Sequence, residues 1–149
     1  MKDDLAITKA DWPAGEWHDE PDREEWIDPV TGYHCLASRN MLMGFWCGYV
    51  GVPRGHPFFA KEYDDIELDF VQGLTYSDKI DDDIYFDDVV HLNDIWMVGF
   101  DCCNYLDMWP NNSPEMFIWW RKRTECTYKN LAHVRDVCAK LANALKEKA

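Results

Sequence analysis

Arg54 and His56 stand in the run Gly48-Tyr49-Val50-Gly51-Val52-Pro53-Arg54-Gly55-His56-Pro57, closely followed by Tyr63-Asp64-Asp65-Ile66. A guanidinium can fork onto a phosphate or carboxylate, an imidazole can move a proton, and a carboxylate can act as a base. Three glycines and two prolines dictate the backbone of the run, and so much imposed shape points to a site. Each candidate also has a plainer reading. Arg54 takes an anion, helped by the N–H groups of Gly51 and Gly55, or it pairs with Asp64 or Asp65 while His56 caps the turn. Adjacent carboxylates point to opposite sides of an extended chain, so only one of Asp64 and Asp65 can enter a given pocket. Their plainer role is a turn that caps its own backbone.

Asp101 and Cys102 close an apolar segment, a position that suits a pocket mouth. A Cys102 nucleophile needs a nearby imidazole, for which His56 and His91 are the mid-chain candidates; a buried thiol is the commoner state. His56, Asp64 and Asp101 have metal-ligand chemistry without diagnostic spacing, so no metal or other cofactor is expected. The acidic run Asp81-Asp82-Asp83 with Asp87-Asp88 has no calcium-loop pattern and reads as solvated loop. Trp119-Trp120-Arg121-Lys122-Arg123 either stacks on and neutralises a nucleotide or is a strand at a sheet edge guarded by its charges.

The elements that must position these groups are partly visible. Phe45 to Val52 is rich in aromatic and β-branched residues and predicts a strand feeding the Arg54 loop. Ile66-Glu67-Leu68-Asp69-Phe70 alternates apolar and acidic, the pattern of a half-buried strand. Leu74-Thr75-Tyr76 starts another short strand. Ile95 to Asp101 predicts a third, with Trp96, Val98 and Phe100 on one face. Residues 34–43 read as a short helical turn or irregular chain, and Pro110 to Pro114 as loop. From Tyr128 to Lys148 the residues Leu131, Val134, Cys138, Leu141 and Leu145 recur at three- and four-residue steps, the stripe of an amphipathic helix. Thr127 or Asn130 can cap it. The expected fold is α+β: a small, mostly antiparallel β-sheet with a long C-terminal helix packed on one face. Residues 1–28, polar with Trp12, Trp17 and Trp26 interspersed, read as an N-terminal arm, and residues 29–149 as a single domain.

Composition narrows the partners. The 149 residues are 47% apolar and 15% aromatic, rich enough for a core despite a net charge of -13. Eight tryptophans are hard to bury completely in one small domain, so several are expected at a pocket or partner surface. From Arg121 onward the charge is +5, and the first 120 residues carry -18. Glu62 to Asp94 alone holds twelve acids against Lys79. Such a surface repels nucleic acid and suits solubility or a basic partner. The six cysteines include no CxxC pair, no apolar signal segment opens the sequence, and no run of eighteen apolar residues exists. Reduced thiols in a cytoplasmic protein, away from membranes, are the expectation. Self-association into a homo-oligomer stays open.

The pieces Gly48 to Pro57, Tyr63-Asp64-Asp65-Ile66, Gly73-Leu74-Thr75-Tyr76-Ser77 and Gly99-Phe100-Asp101-Cys102 occur in this order. A closing helix of the type Tyr-x-x-Leu-x-x-Val follows them. Together they resemble a family of small proteins found in phage and prophage genomes, over roughly residues 44–146. In that family the strand leading into the region of Gly73-Leu74-Thr75 carries a His-Gly-Gly-Leu-Thr pattern, and a histidine often closely follows Phe-Asp-Cys. Here Gln72 and Cys103-Asn104 stand in those regions. The resemblance implies a phage-borne accessory role in the host cytosol, and the lost histidines favour binding over catalysis. The resulting expectation is a non-catalytic protein that binds a small polar ligand, a nucleotide-derived signal being the concrete case, or a host factor, to counter host defence. Its ligand residues would be Tyr49, Arg54, His56, Tyr63, Asp64, Asp65, Thr75, Tyr76, Asp101 and Asn104. Arg54 would hold the phosphate, a tyrosine would stack on the base, and Asp64 or Asp101 would read polar edges. Two alternatives remain: a small hydrolase using a His/Asp site, and an acidic inhibitor of a nucleic-acid-binding host protein.

Overall fold

The computed structural model describes residues 9–70, 72–81, 84–87, 94–104, 106–123 and 125–149. His91, Asp82, Asp83 and Asp88 lie outside them. Five antiparallel strands form one sheet: β1 (Arg23–Ile27), β2 (His34–Arg39), β3 (Trp46–Pro53), β4 (Tyr76–Lys79) and β5 (Ile95–Asp101). Their spatial order is β1-β2-β3-β5-β4. Helix α1 (Pro114–Arg121) and helix α2 (Leu131–Glu147) follow, and a short parallel pair, β6 (Asp107–Met108) with β7 (Thr127–Tyr128), ties the segments beside them. The chain is therefore α+β, with the C-terminal helix packed on the sheet.

Helix α2 forms for the reasons its sequence states. The Asn130 side chain caps it by accepting the His133 N–H at 2.9 Å. Val134, Cys138, Leu141 and Leu145 are all fully buried against the sheet. The opposing strand face is built from small residues. Ala37 lies on β2, and Gly48 on β3 leaves so little room that an added Cβ would sit 2.9 Å from Cys138 Sγ and 2.4 Å from Phe100. Trp96, Val98 and Phe100 share this face, as their alternation requires.

The opposite face of the sheet is also covered. Leu36, Tyr49 and Met97 pack there against Ile80 and Phe86. Burial on both faces explains why residues 34–39 are a strand rather than a helical turn or irregular chain. Cys35, Leu36 and Ala37 are all inaccessible, so no polar alternation marks them. Ile66 to Phe70 departs in the other direction. It forms no ladder, although Ile66 is buried and Leu68 and Phe70 pack on the helix-side core. An extended chain lying over a core produces the same period of two as a paired strand. Residues 119–121 end helix α1 instead of forming an edge strand. Ser113 accepts the Met116 N–H at 3.2 Å as N-cap, and Pro114 opens the helix. The N-terminal segment also enters the sheet, because Arg23–Ile27 pair with β2. Trp12 and Trp17 before it are buried, and Trp26 lies within β1.

Candidate functional site

A polar constellation lies where β5 ends. Asp101 turns the chain: its Oδ1 accepts the Cys103 N–H at 3.2 Å, and its carbonyl accepts Gln72 Nε2 at 3.1 Å and Asn104 Nδ2 at 3.2 Å. Asp107 closes the turn. It is 4% exposed, accepts the Asn104 N–H at 2.9 Å, and pairs with Lys129 Nζ at 2.9 Å. A buried carboxylate needs such partners, so this turn is held in one shape from three sides.

A cavity of about 460 Å³ opens beside it, against α2. Asp69, Phe70 and Gln72 line one wall; His133, Val137 and Lys140 line the other. His133 Nε2 is buried and has no hydrogen-bond partner among the described residues. Burial and then the Lys129 ammonium hold this imidazole below its ordinary value, against the opposing pull of Asp107 and Asp136. The Lys140 side chain is largely exposed and pairs with Asp136 at 3.0 Å, a surface contact that exchanges easily.

The sequence-predicted residues divide into two groups. Tyr49 and Tyr76 meet edge to face, centroids 5.2 Å apart, on the sheet face away from α2. Gly99 makes room for them, since a Cβ there would fall 2.5 Å from Tyr49 Cδ1. Burial holds the Tyr49 hydroxyl well above its ordinary value, with the neighbouring Cys47 adding to it. Thr75 is exposed and donates its N–H to the Gly99 carbonyl at 3.0 Å. Asp101 and Asn104 belong to this end of the sheet.

Arg54, His56, Tyr63, Asp64 and Asp65 do not. Cys47 pairs with Asp101 and Pro53 with Ile95, so Arg54 lies about 20 Å down the strand from Asp101. Arg54 is exposed, pairs with Asp94 at 3.5 Å rather than Asp64 or Asp65, and places its guanidinium 5.2 Å from the Phe59 ring. Gly51 is inside β3, so its N–H is not part of a loop. Tyr63–Asp65 form one exposed 3-10 turn. His56 is buried, with Nε2 2.8 Å from the Leu145 carbonyl and Nδ1 accepting the Phe58 N–H at 3.0 Å. Neither nitrogen is left for proton transfer or for a metal shared with Asp64 and Asp101.

A thiolate at this turn is opposed electrostatically. Burial, and then the Asp107 carboxylate, hold the Cys102 thiol far above its ordinary value. Cys103 is raised by burial, Asp101 and Asp107, and burial pushes Cys47 up to about 12. Nucleophilic cysteines sit in electropositive surroundings, and these do not. All six cysteines are free. Sequence reasoning missed Asp69, Asp107, Lys129, His133 and Lys140. His133 and Lys140 flank the apolar stripe of α2, and only its packing beside Asp69, Phe70 and Gln72 brings them to one cavity.

No protein-family model, curated protein or solved structure matches the chain. Among the described residues no helix is long and apolar enough to cross a membrane.

Proposed function

We propose that this protein is a phage-type accessory factor that binds a small, negatively charged polar ligand, of the nucleotide or nucleotide-derived class, without turning it over. Removing such a signal from solution would counter a host defence that depends on it. The observation that carries the reading is the 460 Å³ cavity, which combines Lys140 and the unpartnered His133 with Gln72, Asp69 and Phe70. Its size falls within the range of small-molecule sites. Lys140 supplies charge for a phosphate, His133 a hydrogen bond, and Phe70 and Val137 an apolar floor. The hydrolase reading has less support, because His56 has both nitrogens engaged inside the fold.

The test is thermal unfolding against a panel of linear and cyclic mono- and dinucleotides. A ligand at a hundred times its Kd stabilises by about 2.7 kcal/mol, a rise in Tm of about 5–10 °C for a chain of this size. Lys140→Glu should abolish the rise. A panel without any stabilising member, or a shift that survives Lys140→Glu, would overturn the assignment.

A further inference from the structure

We propose that the groove along α1 is a second binding site, one that takes an organic cation of the alkylammonium or guanidinium type. Three of the eight tryptophans meet there. Trp109 and Trp120 stand edge to face with centroids 4.8 Å apart, and Trp119 is 38% exposed beside them. With Met116, Asn104 and Asp107 they line a groove of about 270 Å³. Met116 and Trp119 also line a second hollow of about 360 Å³, bounded by Ser113 and Glu115.

The lining chemistry selects the charge of the ligand. Among the described residues the charged groups in the lining are Asp107 and Glu115, both acidic. Indole faces attract cations through their quadrupole, and a carboxylate beside them adds to the attraction. An anion would meet the Glu115 carboxylate, and among the described residues no Lys or Arg lines either hollow. Asp107 is engaged by Lys129 and Asn104, so Glu115, which is exposed and forms no ion pair among the described residues, supplies the charge at the open end. The molecule already makes this contact once, with the Arg123 guanidinium 4.8 Å from the Trp119 ring centroid. Arg123 is held by Glu125 at 2.8 Å and, though it stands against the Trp119 ring, lines neither hollow. The net charge of -13 draws cations toward the protein from a distance. The site is independent of the His133 cavity.

The experiment titrates choline and its neutral isostere 3,3-dimethyl-1-butanol while following indole N–H resonances and tryptophan fluorescence. Choline should shift the Trp109 and Trp119 signals saturably, and the isostere should bind at least about tenfold more weakly. Trp119→Ala and Glu115→Gln should each weaken choline binding, with Trp119→Phe retaining part of it. All three should keep the wild-type melting temperature within a few degrees. Two further arms distinguish the source of the cation: N-acetylarginine amide, and a short arginine-rich peptide. Tighter binding of the peptide assigns the cation to a protein partner; equal binding assigns it to a free small molecule. Equal affinity for choline and its isostere, no indole shift with any cation, or displacement of the same indole signals by adenosine monophosphate would overturn the proposal.

Discussion

His56 donates through Nε2 to the Leu145 carbonyl and accepts the Phe58 N–H at Nδ1, fastening the loop after β3 to the end of α2. His56→Ala leaves two buried backbone groups without partners, at about 1–3 kcal/mol each. Urea denaturation should therefore show a loss of about 2–4 kcal/mol; a loss below 1 kcal/mol would show that the bridge contributes little. Arg54→Ala, at an exposed pair, should cost at most about 1 kcal/mol and leave ligand uptake unchanged. The motif run around these residues was legible as shaped backbone, but the use of that shape was not. Whether a histidine faces a ligand or a carbonyl depends on Leu145, 89 positions away. His133 carries a pH signature. Its folded-state value lies below the ordinary 6.5, so the unfolded chain binds the proton more readily. Stability is then full above the unfolded value and falls as pH drops through that value toward the folded one. Between pH 7 and pH 5 the urea midpoint of wild type should fall further than that of His133→Asn. Equal slopes would remove His133 from the titration.

At the scale of elements, legibility followed periodicity. Helix α2 was plain because one face is buried and the other wet, so its stripe repeats at helical spacing. Leu141 is inaccessible at its centre, and Leu141→Ala should cost roughly 2–5 kcal/mol by calorimetry or denaturant titration. A loss below half a kcal/mol would place that stripe away from the sheet. Strand β2 was illegible for the complementary reason: cover on both faces erases the alternation that marks a strand. Helix α1 did carry a signal, Ser113-Pro114-Glu115, the N-cap, opening proline and acidic first turn of a helix. The tryptophans and basic residues behind it suggest a guarded sheet edge when read alone. The turn from Asp101 to Asp107 was half legible. Asp101 and Asn104 stood out beside the Phe-Asp-Cys motif, but Asp107 also needs Lys129, distant in sequence and brought to it by the β6–β7 pair.

At the scale of the molecule, the N-terminal segment is clasped to the body by a buried ionic network. Its tryptophans announced an arm, but its ionic half did not show in the sequence, since the partners are 19 and 108 residues apart. The Arg39 side chain is 0% exposed and donates to Glu20 at 3.1 Å and to Asp22 at 2.9 Å. Its guanidinium lies 4.4 Å from the centroid of Trp46. The same Glu20 accepts the Tyr128 hydroxyl at 2.5 Å and the Leu131 N–H, at the start of α2, at 2.7 Å. Removing one partner of a buried ion pair leaves desolvated charge and typically costs about 3–5 kcal/mol, whereas an exposed pair is worth about 0–1 kcal/mol. Asp22 remains in place, so Glu20→Ala should fall at the lower end, about 3 kcal/mol. The Glu24–Arg135 pair on the sheet surface, partly exposed on both sides, provides the control, and Glu24→Ala should cost less than about 1 kcal/mol. The two variants remove the same charge from the same acidic half of the chain, so long-range repulsion cancels in the comparison. Urea unfolding at 0.1 M and 1 M salt separates them further. The deficit of Glu20→Ala should persist at high salt, because a buried network is poorly screened, and that of Glu24→Ala should vanish. Equal costs for the two substitutions would mean that the clasp is an ordinary surface contact and that the arm is held by its β1 ladder and by Trp12 and Trp17.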